Sequence, residues 1–231
     1  MKGIRKHLEI LRKIQRKKHH HLIHKLHKKY KISKRTLLYV KEYGPHTNVP
    51  KTIIKESIKI LFLASIISSF GGFAIENIKE VFVVIIPLII LLPILNGMIG
   101  NYGTIISSRF STLLHEGKAG KGIKGNKELT TLFAQVMTIA LIFVVIATAI
   151  ALTISFFIEG QMNSDVIYKI FFISLIDVLV LITILFFVAI AAGRYFFKKK
   201  EDPDNFLIPI TTSIADLGNM IILVLLVLLF F

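Results

Sequence analysis

Five long apolar runs, separated by short polar segments, constrain the fold of this chain more than any other feature. A helix of about 20 apolar residues crosses a hydrocarbon core of about 30 Å, and backbone groups in lipid must be hydrogen-bonded within such a helix or a closed barrel. With 54% hydrophobic residues, the chain is predicted to be an all-α, polytopic membrane protein with five transmembrane helices. The runs lie near residues 57–75, 81–110, 131–158, 166–192 and 206–231.

The net charge of +15 comes entirely from the beginning of the chain. Residues 1–59 contain 18 Lys and Arg and 3 acids, whereas the remainder contains 11 of each sign. We therefore divide the chain into a basic, His-rich cytoplasmic tail and linker, 1–52, and a five-helix transmembrane domain, 53–231. Aliphatic residues at helical intervals in the tail favour binding to anionic membrane lipids. Nucleic-acid binding is the less favoured interpretation, because no motif or aromatic platform accompanies the charge.

Three histidines of the tail, His20, His24 and His27, follow helical spacing. They fit either a transition-metal sensor or a pH-responsive extension of the basic patch. Lys and Arg accumulate on the cytoplasmic side of membrane proteins, and the tail, the 109–127 segment and the 194–200 segment are all basic. Five spans then place the N-terminus in the cytoplasm and the C-terminus outside the cell membrane. The first apolar run starts too late for a cleavable signal peptide.

Asp216 is the single ionisable residue of the last run. An Asp at the centre of a membrane helix costs about 2.5–3.5 kcal/mol, so such residues usually face a partner helix or a wet cavity. Helical spacing puts Asn205, Pro209 and Thr212 on the same stripe as Asp216, followed by Asn219. Pro209 frees backbone carbonyl oxygen that can face a cation together with Asp216. The alternative is that Asp216 only joins helices through hydrogen bonds.

Asp177 lies at a comparable depth in the fourth run. It is either a second ion or proton site or a buried acid paired with a polar group of a neighbouring helix. Because five spans cannot form a twofold pathway alone, we expect a homodimer in which two Asp216 residues face each other. Two adjacent carboxylates remain ionised most easily with a divalent cation between them. The acids of the outer segments, Glu76, Glu80, Glu159 and Asp165, would concentrate cations.

The second run contains Pro87, Pro93, several glycines and the amides of Asn96 and Asn101. Such a run predicts irregular backbone buried in protein or lining water. An intramembrane enzyme is not predicted: the chain has no cysteine, its eight histidines lie outside the apolar runs, and no HExxH motif occurs. A membrane scaffold that recruits a partner through the basic tail is a remaining alternative.

The segment DPDNFLIPITTSIADL, residues 202–217, resembles the last-helix signature of MgtE-type magnesium channels and transporters. Its matching residues are Asp202, Pro203, Thr211, Thr212 and Asp216. The segment NGMIGNYGTIISSRFSTLLHEG, residues 96–117, is similar to the second helix of that family, and its SSRFST ending is closest to the archaeal and eukaryotic magnesium-transporting solute carriers. Glu56, Ser57 and Glu76 resemble the first-helix pattern.

This resemblance implies a half-transporter that works as a homodimer, with Asp216 binding a hydrated Mg²⁺ ion on the pore axis. Asp202 and Asp204 would form an inner vestibule, and Asn205, Thr212 and the amide of Asn101 would contact the ion or its water. No cofactor is implied beyond the transported ion. Exchange of another divalent metal such as Mn, Co or Zn is the alternative. Bacterial members carry a large acidic sensor domain, so their magnesium-dependent gating is not carried over to this chain.

Overall fold

The computed structural model describes residues 49–76, 79–120, 125–161, 163–199 and 201–231, and these residues form six helices. Five of the six are long and apolar enough to cross a membrane, which confirms the predicted all-helical protein with five spans. The tail up to residue 48, including His20, His24 and His27, lies outside the described residues. The helices are α1 Val49–Glu76, α2 Lys79–Val84, α3 Ile86–Glu116, α4 Lys127–Glu159, α5 Ser164–Lys199 and α6 Pro203–Phe230.

Local sequence signals explain where the helices begin and end. Asn126 caps α4, because its side chain accepts hydrogen bonds from the backbone N–H groups of Glu128 and Leu129. Asp202 caps α6 in the same way, and Pro203 occupies the first turn, where no N–H is needed. Helix α3 ends at Gly117, whose φ of 76° places it in the left-handed region that favours glycine.

The second apolar run is interrupted once, at Ile85, between the short helix α2 and the long helix α3. Pro87 stands in the first turn of α3, where a proline is tolerated. Pro93 lies inside α3, but the helix continues through it and through three glycines to Glu116. The predicted irregular backbone is therefore found near Pro87, and the stretch around Asn96 and Asn101 is regular helix.

Helix α6 is the central element, since it packs against α1, α3 and α5, while α5 also packs against α3 and α4. Glycines allow close contact in this bundle: a Cβ atom added to Gly193 of α5 would lie 2.7 Å from the ring of Phe110 on α3. Helix α1 packs mainly against α6, and its aromatic residues Phe62 and Phe73 are exposed. The bundle consists of a tightly packed body, α3–α6, and a peripheral helix α1.

The outer acids predicted from sequence lie at or near helix ends: Glu76 ends α1, Glu80 lies in α2, Glu159 ends α4 and Asp165 lies in the first turn of α5. Two of these acids are already paired with lysine, Glu76 with Lys79 and Asp165 with Lys169. The orientation of these ends relative to the cytoplasm stays a prediction.

Candidate cation site

The Asp216 carboxylate lies between α1 and α3 and is hydrogen-bonded to both. Its Oδ2 atom accepts from the Ser68 hydroxyl of α1 at 3.0 Å, and its Oδ1 atom accepts from the Asn96 side-chain amide of α3 at 3.0 Å. The Asp216 side chain remains partly exposed. Each carboxylate oxygen keeps a second lone pair beside the hydrogen bond that it accepts. Asp216 can therefore still accept from, or coordinate, an additional group.

A second amide continues this network into the protein. Asn219, one turn after Asp216 on α6, donates through its Nδ2 atom to the Asn96 Oδ1 atom at 3.2 Å. The Asn219 side chain is fully buried, and its own Oδ1 atom has no hydrogen-bond partner among the described residues. Three polar side chains thus form one chain of hydrogen bonds, from Asn219 through Asn96 to Asp216.

Glycines on both flanking helices permit this close arrangement. A Cβ atom at Gly71 of α1 would lie 3.0 Å from the Met220 side chain and 3.6 Å from the Asp216 carbonyl oxygen. A Cβ atom at Gly103 of α3 would lie 3.3 Å from the Cβ atom of Thr211. Close approach of small residues is a common basis of helix packing in membranes. It brings Ser68 and Asn96 within reach of the short Asp216 side chain.

Hydroxyl groups line α6 one turn before Asp216. Thr212, which is partly exposed, donates to the carbonyl oxygens of Ile208 and Pro209 at 2.9 and 3.2 Å. Thr211 is buried and shares a 2.8 Å hydrogen bond with Ser107 of α3. The proton of Thr212 is directed to its own helix, so only its oxygen lone pair is available to a cation or a water molecule.

Asn101, predicted to act beside Asp216, lies elsewhere on α3. Five residues separate it from Asn96, so the two side chains point about 140° apart around the helix, and Asn101 is exposed. It shares an uncovered, small and polar surface with Gly97 and Gly100, where an added Cβ atom would meet nothing within 4 Å. We call this surface, comprising Gly97, Gly100, Asn101, Thr104 and Ser108, the open face of α3.

Asp202 and Asp204 are at the start of α6, about 20 Å from Asp216 at 1.5 Å per residue. The Asp202 carboxylate accepts from the Asp204 backbone N–H at 3.2 Å and lies 3.7 Å from the Nε2 atom of His115 on α3. Asp204 and Asn205 are partly exposed. The structure therefore separates the predicted residues into two groups, one at this end of the bundle and one around Asp216.

At the opposite end, Glu80 and Glu159 line a cavity of about 560 Å³. Most of its lining is apolar, contributed by residues such as Val84, Val166 and Phe231. The Glu159 carboxylate accepts from the buried Ser155 hydroxyl at 3.3 Å. Of the four outer acids, these two line this cavity.

Asp177 differs from all of these acids because it is completely buried in the body of the bundle. Neither of its carboxylate oxygens has a hydrogen-bond partner among the described residues. The nearby hydroxyls of Ser174 and Thr148 bond to each other at 2.7 Å. The predicted pairing of Asp177 with a polar group of a neighbouring helix is therefore not seen.

Across the described parts of the chain, no group of three or more His, Asp or Glu side chains is close enough to hold a metal ion. Asp216 is instead surrounded by neutral hydroxyl and amide groups. This environment fits an ion that keeps much of its water, as Mg²⁺ does, because the carboxylate oxygens of Asp216 can accept hydrogen bonds from metal-bound water.

Comparison with known proteins decides the family. The model of the MgtE family, described as a divalent cation transporter, matches residues 92–226, which is more than half of the chain. The chain belongs to the MgtE family. The matched MgtE region includes Asn96, Asp177 and Asp216 and begins after α1, so Ser68 lies outside it. The family is one of transporters and not an enzyme class.

Curated relatives agree with membership in the MgtE family. Solute carrier family 41 member 2 from Mus musculus is 28% identical over 178 residues, and its counterparts from Gallus gallus and Homo sapiens are 27% and 26% identical over 185 and 186 residues. Each match covers 72% of this chain and 30% of the relative. The chain thus spans about a third of the length of these relatives. No solved structure matches it.

Sequence reasoning missed two residues that the structure places on Asp216, Ser68 and Asn96. They are 148 and 120 residues away from Asp216 in the chain. The only signal in the sequence was the presence of a hydroxyl and an amide inside apolar runs. Asn219 was recognised as part of the polar stripe of α6, but its contact with Asn96 was not predicted.

Proposed function

We propose that this multi-pass membrane protein transports a divalent cation, with Mg²⁺ as the preferred ion, along a pathway that passes Asp216. The observation that carries the proposal is the partly exposed Asp216 carboxylate, which lies within a transmembrane helix and is held by one donor from α1 and one from α3. Membership in a family of divalent cation transporters supports the same function.

The ion would pass in a largely hydrated state. Both Asp216 oxygens already accept one hydrogen bond at 3.0 Å, and their remaining lone pairs suit bonds from metal-bound water molecules. Mg²⁺ releases its water reluctantly and usually contacts proteins through one or two carboxylates. Thr212 and Asn205, on the same stripe of α6, would contact the water shell, and Asp202 and Asp204 would form the vestibule at the cytoplasmic end.

The functional unit would be a homodimer. The open face of α3 is small and polar, although lipid-facing surfaces of membrane helices are usually large and apolar. A second copy facing this surface would enclose a polar pathway and bring Asn101 toward the ion. Glu80 and Glu159 would attract cations at the outer end. Asp177 has no place in this pathway, and its assignment as a second ion or proton site stays a prediction.

The test is a flux assay in proteoliposomes that contain the purified protein, with Mg²⁺, Mn²⁺, Co²⁺, Zn²⁺ and Ca²⁺ compared. We expect Mg²⁺ uptake by the wild type and none by Asp216→Ala, while the variant elutes at the same oligomeric size. Uptake by Asp216→Ala at the wild-type rate would overturn the proposal. If the protein instead takes up Mn²⁺, Co²⁺ or Zn²⁺ in preference to Mg²⁺, and if a counter-ion gradient drives that uptake, the exchanger alternative is favoured.

Deletion of residues 1–48 separates transport from the scaffold alternative. We propose that residues 1–52 are a tail and linker and that residues 53–231 contain the whole pathway, although helix α1 already begins at Val49. A transporter should keep at least its basal flux without the tail. A protein that acts by recruiting a partner through the basic tail would lose its activity.

A further inference from the structure

Asn219 is buried behind the candidate cation site, and within the described residues its side chain is hydrogen-bonded to that site through one other side chain, Asn96. Its Nδ2 atom donates to Asn96, and Asn96 donates to Asp216. We propose that Asn219 is a positioning residue for cation selectivity, which locks the Asn96 amide so that an N–H donor, and not a carbonyl oxygen, is presented beside Asp216. This inference rests on the proposed transport function.

The orientation of the Asn96 amide follows from hydrogen-bonding chemistry. An ionised carboxylate only accepts hydrogen bonds, so Asn96 must turn its NH₂ group toward Asp216. Its oxygen then points the other way and needs a donor, which Asn219 supplies at 3.2 Å. Without Asn219, only the hydrogen bond to Asp216 would hold the Asn96 amide, and a cation bound at Asp216 could replace that bond and attract the amide oxygen.

The burial of Asn219 argues that its side chain has a role beyond packing. It lies on the face of α6 that also carries the buried apolar residues Ala215, Leu223 and Val227. Its Oδ1 atom is buried without a partner among the described residues, and an unsatisfied buried acceptor is destabilising. A leucine at position 219 would continue the apolar face without that cost. What a leucine could not do is donate to Asn96.

The amide orientation has a consequence for ion choice. With the Asn96 N–H group in place, each Asp216 oxygen already accepts one hydrogen bond. The ion then contacts this carboxylate through its bound water. If the Asn96 oxygen turned toward the same space, it would add an oxygen ligand beside the carboxylate. Ca²⁺ takes six to eight oxygen ligands with flexible geometry, whereas Mg²⁺ prefers to keep its water. Loss of Asn219 should therefore favour Ca²⁺ over Mg²⁺.

The experiment is a double-mutant cycle on the full chain in proteoliposomes, with Asn219→Leu, Asn96→Leu and the double variant. Mg²⁺ flux is measured over a range of concentrations, together with its inhibition by Ca²⁺. For Asn219→Leu we expect Ca²⁺ to inhibit at a concentration about fivefold lower than for the wild type, a difference of about 1 kcal/mol at 1.4 kcal/mol per factor of ten. The double variant should match Asn96→Leu, because Asn219 acts through Asn96.

A purely structural role of Asn219 predicts a different pattern. Thermal stability would change while the Ca²⁺ inhibition relative to Mg²⁺ flux stayed at the wild-type value, and the effect of Asn219→Leu would add to that of Asn96→Leu. Either result overturns the inference. Ser68→Ala is the matched control, since it removes the other donor to Asp216 without passing through Asn96, and its effect should add to that of Asn219→Leu.

If Asn219→Leu does not yield a monodisperse protein, Asn219→Ala takes its place in the same cycle with the same criteria. The outcome also separates the two proposals. Wild-type proteoliposomes that take up no divalent cation would overturn the proposed function itself. Wild-type uptake with an unchanged Ca²⁺ inhibition in the Asn219 variant would overturn only the positioning role.

Discussion

Two acids lie within the membrane-spanning helices, and their surroundings are opposite. Asp216 is partly exposed and receives hydrogen bonds from two neighbouring helices. Asp177 is fully buried, and neither of its oxygens has a partner among the described residues. A charge at the first position is stabilised by donors and accessible to an ion, whereas a charge at the second would be stranded in apolar surroundings. The environment, and not the residue type, makes Asp216 the stronger candidate for an ion site.

The largest difference is expected from the paired variants Asp216→Asn and Asp177→Asn, which remove a potential charge while keeping the side-chain shape. Asp216→Asn should lower Mg²⁺ flux by about 100-fold or more, equivalent to about 2.8 kcal/mol, because a divalent ion loses the carboxylate charge beside its pathway. Asp177→Asn should stay within about twofold of the wild type, measured in the same proteoliposome assay. Equal losses in both variants would instead make Asp177 a second ion or proton site.

The sequence predicted the features that depend on neighbouring residues, but it did not predict the contacts between residues far apart in the chain. The five spans were predicted to within about seven residues of their observed bounds, from residues 57–75 against Ser57–Glu76 to residues 166–192 against Ser164–Lys199, because apolar runs determine membrane helices locally. Asp216 was identified for the same reason, as a charge within such a run. The hydrogen-bond partners of Asp216 were not identified, because the packing of α1 and α3 against α6 determines that Ser68 and Asn96 contact it. Asn101, the amide predicted to act there, points about 140° away from Asn96.

The complete burial of Asp177 could not be predicted from the sequence either. Its helix, α5, packs against α3, α4 and α6, and only that packing removes the side chain from every polar partner and from solvent. The break in the second span illustrates the same limit. Both Pro87 and Pro93 predict irregular backbone, but α3 starts at the first and continues through the second. The two prolines are similar local signals, and the sequence alone did not show that the helix would break only beside Pro87.

The accessibility of the Asp216 region is tested by Gly100→Leu on the open face of α3. An added Cβ atom at Gly100 meets nothing within 4 Å in one copy of the chain, and leucine has a helix propensity about 1 kcal/mol better than glycine. The variant should therefore fold at least as stably as the wild type. If a second copy and the pathway lie on this face, Mg²⁺ flux should fall by about tenfold, equivalent to about 1.4 kcal/mol.

The matched control is Ala149→Leu on the exposed surface of α4, where a larger apolar side chain would contact lipid and leave the flux unchanged. Size-exclusion chromatography with light scattering reports whether the dimer survives in each variant. Normal flux and normal dimerisation of Gly100→Leu would contradict the placement of the pathway on this face.

The two acids should also differ in their contribution to stability. Asp177→Leu replaces an unpartnered buried carboxyl group by an apolar side chain, and such replacements are often neutral or stabilising by about 1–4 kcal/mol. Asp216→Leu leaves the Asn96 amide and the Ser68 hydroxyl without their acceptor, at a cost of about 1–3 kcal/mol. The melting temperature in detergent, measured by circular dichroism, should therefore rise or stay unchanged for Asp177→Leu and fall for Asp216→Leu. Stabilisation by both substitutions would mean that the hydrogen bonds to Asp216 contribute little.

The smallest expected effect concerns the single link between α1 and the acid of the pathway. Ser68→Ala removes one of the two donors to Asp216 and leaves the Asn96 hydrogen bond intact. A neutral donor to a charged group contributes about 1.5–3 kcal/mol at most, and Asp216 is partly exposed, so water can replace much of it. Mg²⁺ flux should fall only about two- to fivefold at low Mg²⁺ concentration and recover at saturation. An effect as large as that of Asp216→Asn would show that α1 holds the carboxylate in place, and the peripheral helix would then belong to the cation site as fully as α3 does.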